Sequence, residues 1–215
     1  MKHLLRHVGY VHRWAAAHVA QASPVLLEGP SEEEVLARGP IQDELLDWFR
    51  EGHAALLNTL RSADSGLSCW TFLDAPSSLA FWARRQAHET AIHGADAEAV
   101  LGPITAFEPT FAADGIDELL VGFAPRERAT AAITARHVLA VRALDTGEGW
   151  LIILDPHGIE SFRGTGPADS SVAGMASDLY LTLWNRRHAG DSRLSVNGDP
   201  RGLELWQATM QVGWN

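Results

Sequence analysis

The stretch Ala87-His88-Glu89-Thr90-Ala91-Ile92-His93 decides how this chain is read. It reads as helix, and it sets Glu89 and His93 one turn apart on one face. A carboxylate and an imidazole at i, i+4 can hold one divalent metal ion between them. His88 lies five residues before His93, so at ~100° per residue it points roughly 140° away around the helix. The pattern is not His-Glu-x-x-His, in which two histidines at i, i+4 bind zinc and the glutamate is the base. Here Glu89 itself sits at ligand spacing. Two ligands do not complete a site, and the best third donor is His7, on a helix near the N-terminus. His3, one turn earlier, is its rival. On spacing alone, the commoner reading of Glu89 and His93 is a polar pair on an exposed helix face.

Composition bounds the answer. A chain of 215 residues, 46% hydrophobic and 20% charged, buries a real core and suits one large domain or two small ones. A formal net charge of -10 argues against nucleic acid or an anionic membrane as partner. Cys69 is the single cysteine, which excludes an intrachain disulfide and fits a reducing, cytoplasmic compartment. No apolar run is long enough to span a bilayer. The first residues are apolar but broken by His3, Arg6, His7, His12, Arg13 and His18, so they read as an amphipathic helix and not a signal peptide. Lys2 is the sole lysine, a bias towards arginine that fits a GC-rich genome.

Working outward from Glu89, the helix opens at Pro76-Ser77 and closes at Gly102-Pro103. Leu4, Val8, Val11 and Ala15 recur at helical spacing and predict a first helix over Lys2 to Ala20. Ser31-Glu32-Glu33-Glu34 has the form of a capping box and predicts a short helix to Arg38. A longer helix is predicted from Ile41 to about Arg61, with Leu45, Leu46, Phe49, Leu56, Leu57 and Leu60 as its apolar stripe. A last short helix is predicted over Ile116 to Val121. This is a helical bundle over residues 1–125. After Pro125 the character changes. Strands are predicted over Ala131–Ala143, Trp150–Leu154, Ile159–Arg163 and Leu194–Val196. One amphipathic helix is predicted over Ser171–Arg187, and a final helix starts at Gly202. Strands and helices in this order make residues 126–215 a small α+β domain.

Two stretches carry a family resemblance. Lys2-His3-Leu4-Leu5-Arg6-His7-Val8-Gly9-Tyr10, followed by Val11-His12-Arg13-Trp14-Ala15, resembles the first-helix motif of the mycothiol-dependent maleylpyruvate isomerase family. Phe81-Trp82-Ala83-Arg84-Arg85-Gln86-Ala87 running into His88–His93 resembles its second metal motif. These proteins belong to the DinB-like group of metal-binding four-helix bundles of actinobacteria. Val172–Leu179, Leu183–Arg187 and Val196–Asp199 resemble the α+β domain that follows the bundle. The resemblance implies a DinB-like four-helix bundle and then a small α+β domain, with His7, Glu89 and His93 as the metal ligands. It further implies a divalent metal, zinc by the donor set, with an open position for the thiol of mycothiol. Deprotonated by the metal, that thiol would attack a small electrophile. In an isomerase it would add and leave; in an S-transferase it would stay attached.

This chain departs from the family in two places. Family members carry a tryptophan-containing segment ahead of the first helix, whereas this sequence begins at about the helix itself. The expectation is a late start or a loosely held His7. Gly94 follows His93 where a larger residue, often Arg, is common. Gly there lowers helix propensity by ~1 kcal/mol against Ala.

Other site residues are weaker. Arg201, before a helix, can bind a carboxylate, although a solvated loop arginine is commoner. Arg84 and Arg85 can contact an anionic thiol cofactor, although a helix-surface pair is the better reading. Trp82 and Trp14 can wall a pocket. Cys69 reads as a small buried hydrophobe. The rival to the enzyme is a non-catalytic metal-binding or ligand-binding protein on the same fold. The oligomeric state is not legible.

Overall fold

The structure is a computed structural model and describes residues 1–29, 31, 34, 37, 39–40, 43–128 and 130–211. It divides into two compact units, Met1–Pro103 and Ile104–Asn215.

Unit 1 is helical. Its long helices are α1 (Lys2–Gln21), α2 (Leu45–Ser62) and α3 (Ser78–Ala99). α1 packs against both α2 and α3. Val8, Val11, Ala15 and Val19 of α1 and Phe81, Trp82 and Ile92 of α3 are all buried in the core. Gly9 allows a close approach of α1 to α2: a Cβ there would lie 2.3 Å from the Trp48 ring. Arg13 stacks its guanidinium over the same ring at 3.9 Å. α3 starts where the sequence reads it. The Ser77 hydroxyl accepts a bond from the Ala80 N–H at 3.1 Å, an N-cap that satisfies one orphan donor. The capping box is also present, with Ser31 and Glu34 bonded reciprocally. The helix predicted to Arg38 lies largely outside the described residues, as do Ile41 and Gln42. Among the described residues, α2 begins at Leu45.

Unit 2 is α+β. It opens with α4 (Pro109–Asp117), which runs into a π-helical turn over Glu118–Phe123 and a short 3₁₀ turn over Ala124–Arg126. Five strands follow: β1 (His137–Ala143), β2 (Gly149–Asp155), β3 (Gly158–Arg163), β4 (Ser170–Gly174) and β5 (Ser195–Gly198). The sheet order is β3-β2-β1-β4-β5, with β1 parallel to β4 and every other pair antiparallel. β2 alternates in burial, so Trp150, Ile152 and Leu154 point into the core. α5 (Ala176–Leu183) packs on α4, and α6 (Arg201–Thr209) packs on β1, β2 and β4. Gly202 is needed there, because a Cβ would lie 2.2 Å from Ser170 Oγ and 2.5 Å from His137 Nε2.

Several boundaries differ from the sequence reading; the strand predicted from Ala131, for one, begins at His137. The helix predicted over Ile116–Val121 begins earlier, at Pro109, where the Glu108 carboxylate caps the Phe111 N–H at 2.9 Å. The helix predicted over Ser171–Arg187 is a strand, β4, followed by the shorter α5. Ser170, Val172 and Gly174 are buried with period two, and pairing with β1 overrides the helical pattern of the residues beyond. The compact units part at Pro103, not at residue 125. The reason is where α4 packs: the Trp184 indole donates to Gly115 O at 3.2 Å, and Arg163 and Trp150 both reach Asp117.

Candidate metal centre

α1 and α3 bring three side chains to one point. Glu89 Oε1 lies 3.2 Å from His7 Nε2 and 3.0 Å from His93 Nε2. The two imidazoles meet edge to face, with centroids 4.9 Å apart. Among the described residues, these three are the group of His, Cys, Asp and Glu whose ligand atoms all lie within 4.8 Å of one another. Glu89 and His93 are near because they are one turn apart on α3, and His7 because the interior face of α1 packs there. His88 is buried but is not in this group, and His3 is exposed.

The donor set fits a divalent ion. Zinc bonds of ~2.0–2.1 Å at tetrahedral angles put ligand atoms roughly 3.3 Å apart. The two separations at Oε1 are close to that, so small side-chain movements suffice. Two imidazoles and a carboxylate are also a donor set that zinc accepts, with a fourth position left over.

The electrostatics favour an ionised Glu89. Burial acts against its charge, but hydrogen bonds from His7 and His93 and the Arg85 guanidinium outweigh it, holding the carboxyl well below the usual range. For His93, burial also opposes charge. The Asp96 and Glu89 carboxylates prevail and raise it to about 9. His12 shows the opposite balance. Burial and the neighbouring His53 lower it to about 4. Its Nε2 pairs with the Thr90 hydroxyl at 2.9 Å, one residue from Glu89.

The weaker sequence candidates fall in different places. Arg85 is not on the surface: it is 1% exposed, and its guanidinium donates to Glu89 Oε2 at 3.2 Å. Trp82 is fully buried, bonded to Trp70 O at 3.1 Å and stacked on His18. Arg201 belongs to unit 2, is exposed, and chelates Asp199, whose carboxyl that arginine pulls down to about 2. Cys69 is buried. Beyond Gly94 there is open space, with nothing within 4 Å of where a Cβ would stand. Asp96 was not singled out from the sequence. Its carboxylate lies 2.9 Å from His93 Nδ1. The i+3 spacing from His93 was the available signal.

A helical unit bearing a His-Glu-His cluster, followed by an α+β unit, defines a class of two-part α and α+β proteins. The sequence comparison names the family. The mycothiol maleylpyruvate isomerase N-terminal domain matches residues 1–98, and the C-terminal domain of the same family matches residues 110–205. The chain belongs to this family. Its fold is similar to the crystal structure of the mycothiol-dependent maleylpyruvate isomerase, with a TM-score of 0.60 and 14% identity over 91% of this chain and 77% of that one. A histidine-to-alanine mutant of that isomerase is similar at a TM-score of 0.57, with the same identity and coverage. No curated protein matches in sequence. Among the described residues, no helix is long and apolar enough to cross a membrane.

Proposed function

We propose that this chain is a metal-dependent, mycothiol-dependent enzyme, an isomerase or S-transferase acting on a small electrophile in the cytoplasm. One observation carries the reading: Glu89 Oε1 lies within 3.2 Å of two imidazole nitrogens from two helices. His7, Glu89 and His93 would hold the ion, and zinc is the ion their chemistry suits. When bound, the metal supplies the acidity that makes a thiol a thiolate at neutral pH. The chain does the rest. Glu89 stays ionised at neutral pH and offers Oε1. The α1–α3 contact holds His7 against Glu89 and His93. Burial of Glu89 and Arg85 keeps solvent from the ion pair they form, where charge interactions are strongest. Family membership supports mycothiol as the thiol.

The test is calorimetry with mycothiol on the metal-loaded and metal-free protein, in two buffers of different ionisation enthalpy. Binding to the loaded form alone, with release of about one proton near neutral pH, is the expected result. Equal binding to both forms would overturn it and favour the non-catalytic binding protein. Products then separate the two enzymes. Maleylpyruvate turned over with catalytic thiol identifies an isomerase, and a stable thioether that consumes thiol identifies a transferase.

A further inference from the structure

Helix α3 carries more than two ligands. Arg85, Glu89, His93 and Asp96 follow one another at helical spacing, each in contact with the next. Glu89 has two oxygens. Oε1 faces His7 and His93, while Oε2 accepts from the Arg85 guanidinium at 3.2 Å. Arg85 is 1% exposed, so water does not compete for that bond. His93 has two nitrogens. Nε2 faces Glu89 Oε1, while Nδ1 lies 2.9 Å from Asp96 Oδ2.

We infer that Arg85 and Asp96 are positioning residues that confine the two α3 ligands to one donor atom each, Glu89 to Oε1 and His93 to Nε2. The inference rests on the metal reading proposed above and deepens it. Its consequence is a low coordination number. A carboxylate free of Arg85 can turn both oxygens to a divalent ion and fill the position a substrate needs. Arg85 prevents this by keeping Oε2 occupied. With a metal in place of the Nε2 proton, Asp96 would accept the Nδ1–H that remains on His93, which fixes the tautomer that presents Nε2 and holds the ring in place.

Cobalt(II) is the probe, because its visible absorption is several times stronger in four-coordinate sites than in five- or six-coordinate ones. The cobalt-loaded native protein gives the strong spectrum. Arg85→Met loses intensity several-fold, and Arg85→Lys, which keeps a donor for Oε2, restores it. An Arg85→Met spectrum equal to the native one overturns the role of Arg85. The native protein provides a test that needs no variant to fold. Its metal-loaded minus metal-free infrared difference spectrum shows the wide carboxylate splitting of one-oxygen ligation, and a narrow splitting overturns the inference. Asp96→Leu lowers cobalt affinity by about 10–100-fold, while Asp96→Asn, which still accepts from Nδ1–H, keeps most of it. Native affinity in Asp96→Leu overturns the role of Asp96. A native protein that takes up no cobalt overturns the metal reading itself. One that binds cobalt but is indifferent to these substitutions overturns only the positioning roles.

Discussion

His7 and His18 lie on the same helix, and both are buried, yet the two ends of α1 are built differently. His18 sits among Trp14, Trp70 and Trp82, with ring centroids 4.7–5.3 Å away. Its Nδ1 bonds Trp14 O at 3.0 Å, and its Nε2 accepts the Leu27 N–H at 3.0 Å. Both nitrogens are used by backbone, so the ring is neutral and has no lone pair to offer a metal. His7 instead turns Nε2 to a buried carboxylate. Burial does not mark a histidine as a ligand. The chemistry of its nearest partner does.

The largest expected effect breaks the site end. His7→Ala should weaken metal binding by more than the ~10–100-fold that outer-sphere changes cost. His3→Ala should leave it unchanged, because His3 is exposed and outside the cluster. A competition titration against a chelator of known affinity measures both.

The structural end should respond in the other currency. His18→Ala should cost about 3–5 kcal/mol, since it opens a void among tryptophans and leaves the Leu27 N–H without its acceptor. Urea unfolding of the metal-free protein measures this, and metal content should stay at the native level. Loss of metal with full stability would reverse the two assignments.

Acid sharpens the comparison. His12 is lowered to about 4, by burial first and then by His53 and Arg13, with Glu89 opposing. His18 is lowered by burial, with its bond to Trp14 O opposing. The unfolded chain therefore binds more protons than the folded one below the ordinary histidine value of ~6.5. The contribution of these two histidines is full above that pH and falls as pH drops towards 4, whereas that of His93, raised to about 9, fades as pH rises towards 9. The His12 share is roughly 2–3 kcal/mol. Unfolding of the metal-free protein at stepped pH should show the slope, and His12→Gln should flatten it.

The smallest effect is at the start of α3. Ser77→Ala should cost about 1 kcal/mol by removing the bond to the Ala80 N–H, without moving the ligands. Thermal unfolding reads it directly.

Local signals carried much of this into the sequence. α1 shows a periodic apolar face and α3 has clear start and stop signals, so their limits were legible, and Glu89 and His93 were on one face by arithmetic alone. Long-range facts were not legible. β4 exists because Ser170–Gly174 pairs with β1, and no local pattern in Ser-Ser-Val-Ala-Gly announces a partner that far back in the chain. α4 reads as another bundle helix until its Gly115 and Asp117 are seen to accept from Trp184, Trp150 and Arg163, all within unit 2. Arg85 stands four residues before Glu89, a spacing visible in the sequence. Its near-complete burial was not, because that depends on how α3 meets the rest of the unit.

The most direct test of the metal centre is elemental analysis of three proteins, each purified without added metal. The account predicts about one divalent ion per chain, by the three-ligand site, in the native protein and in His88→Ala, and almost none in Glu89→Ala. Metal lost from His88→Ala and kept in Glu89→Ala would contradict it.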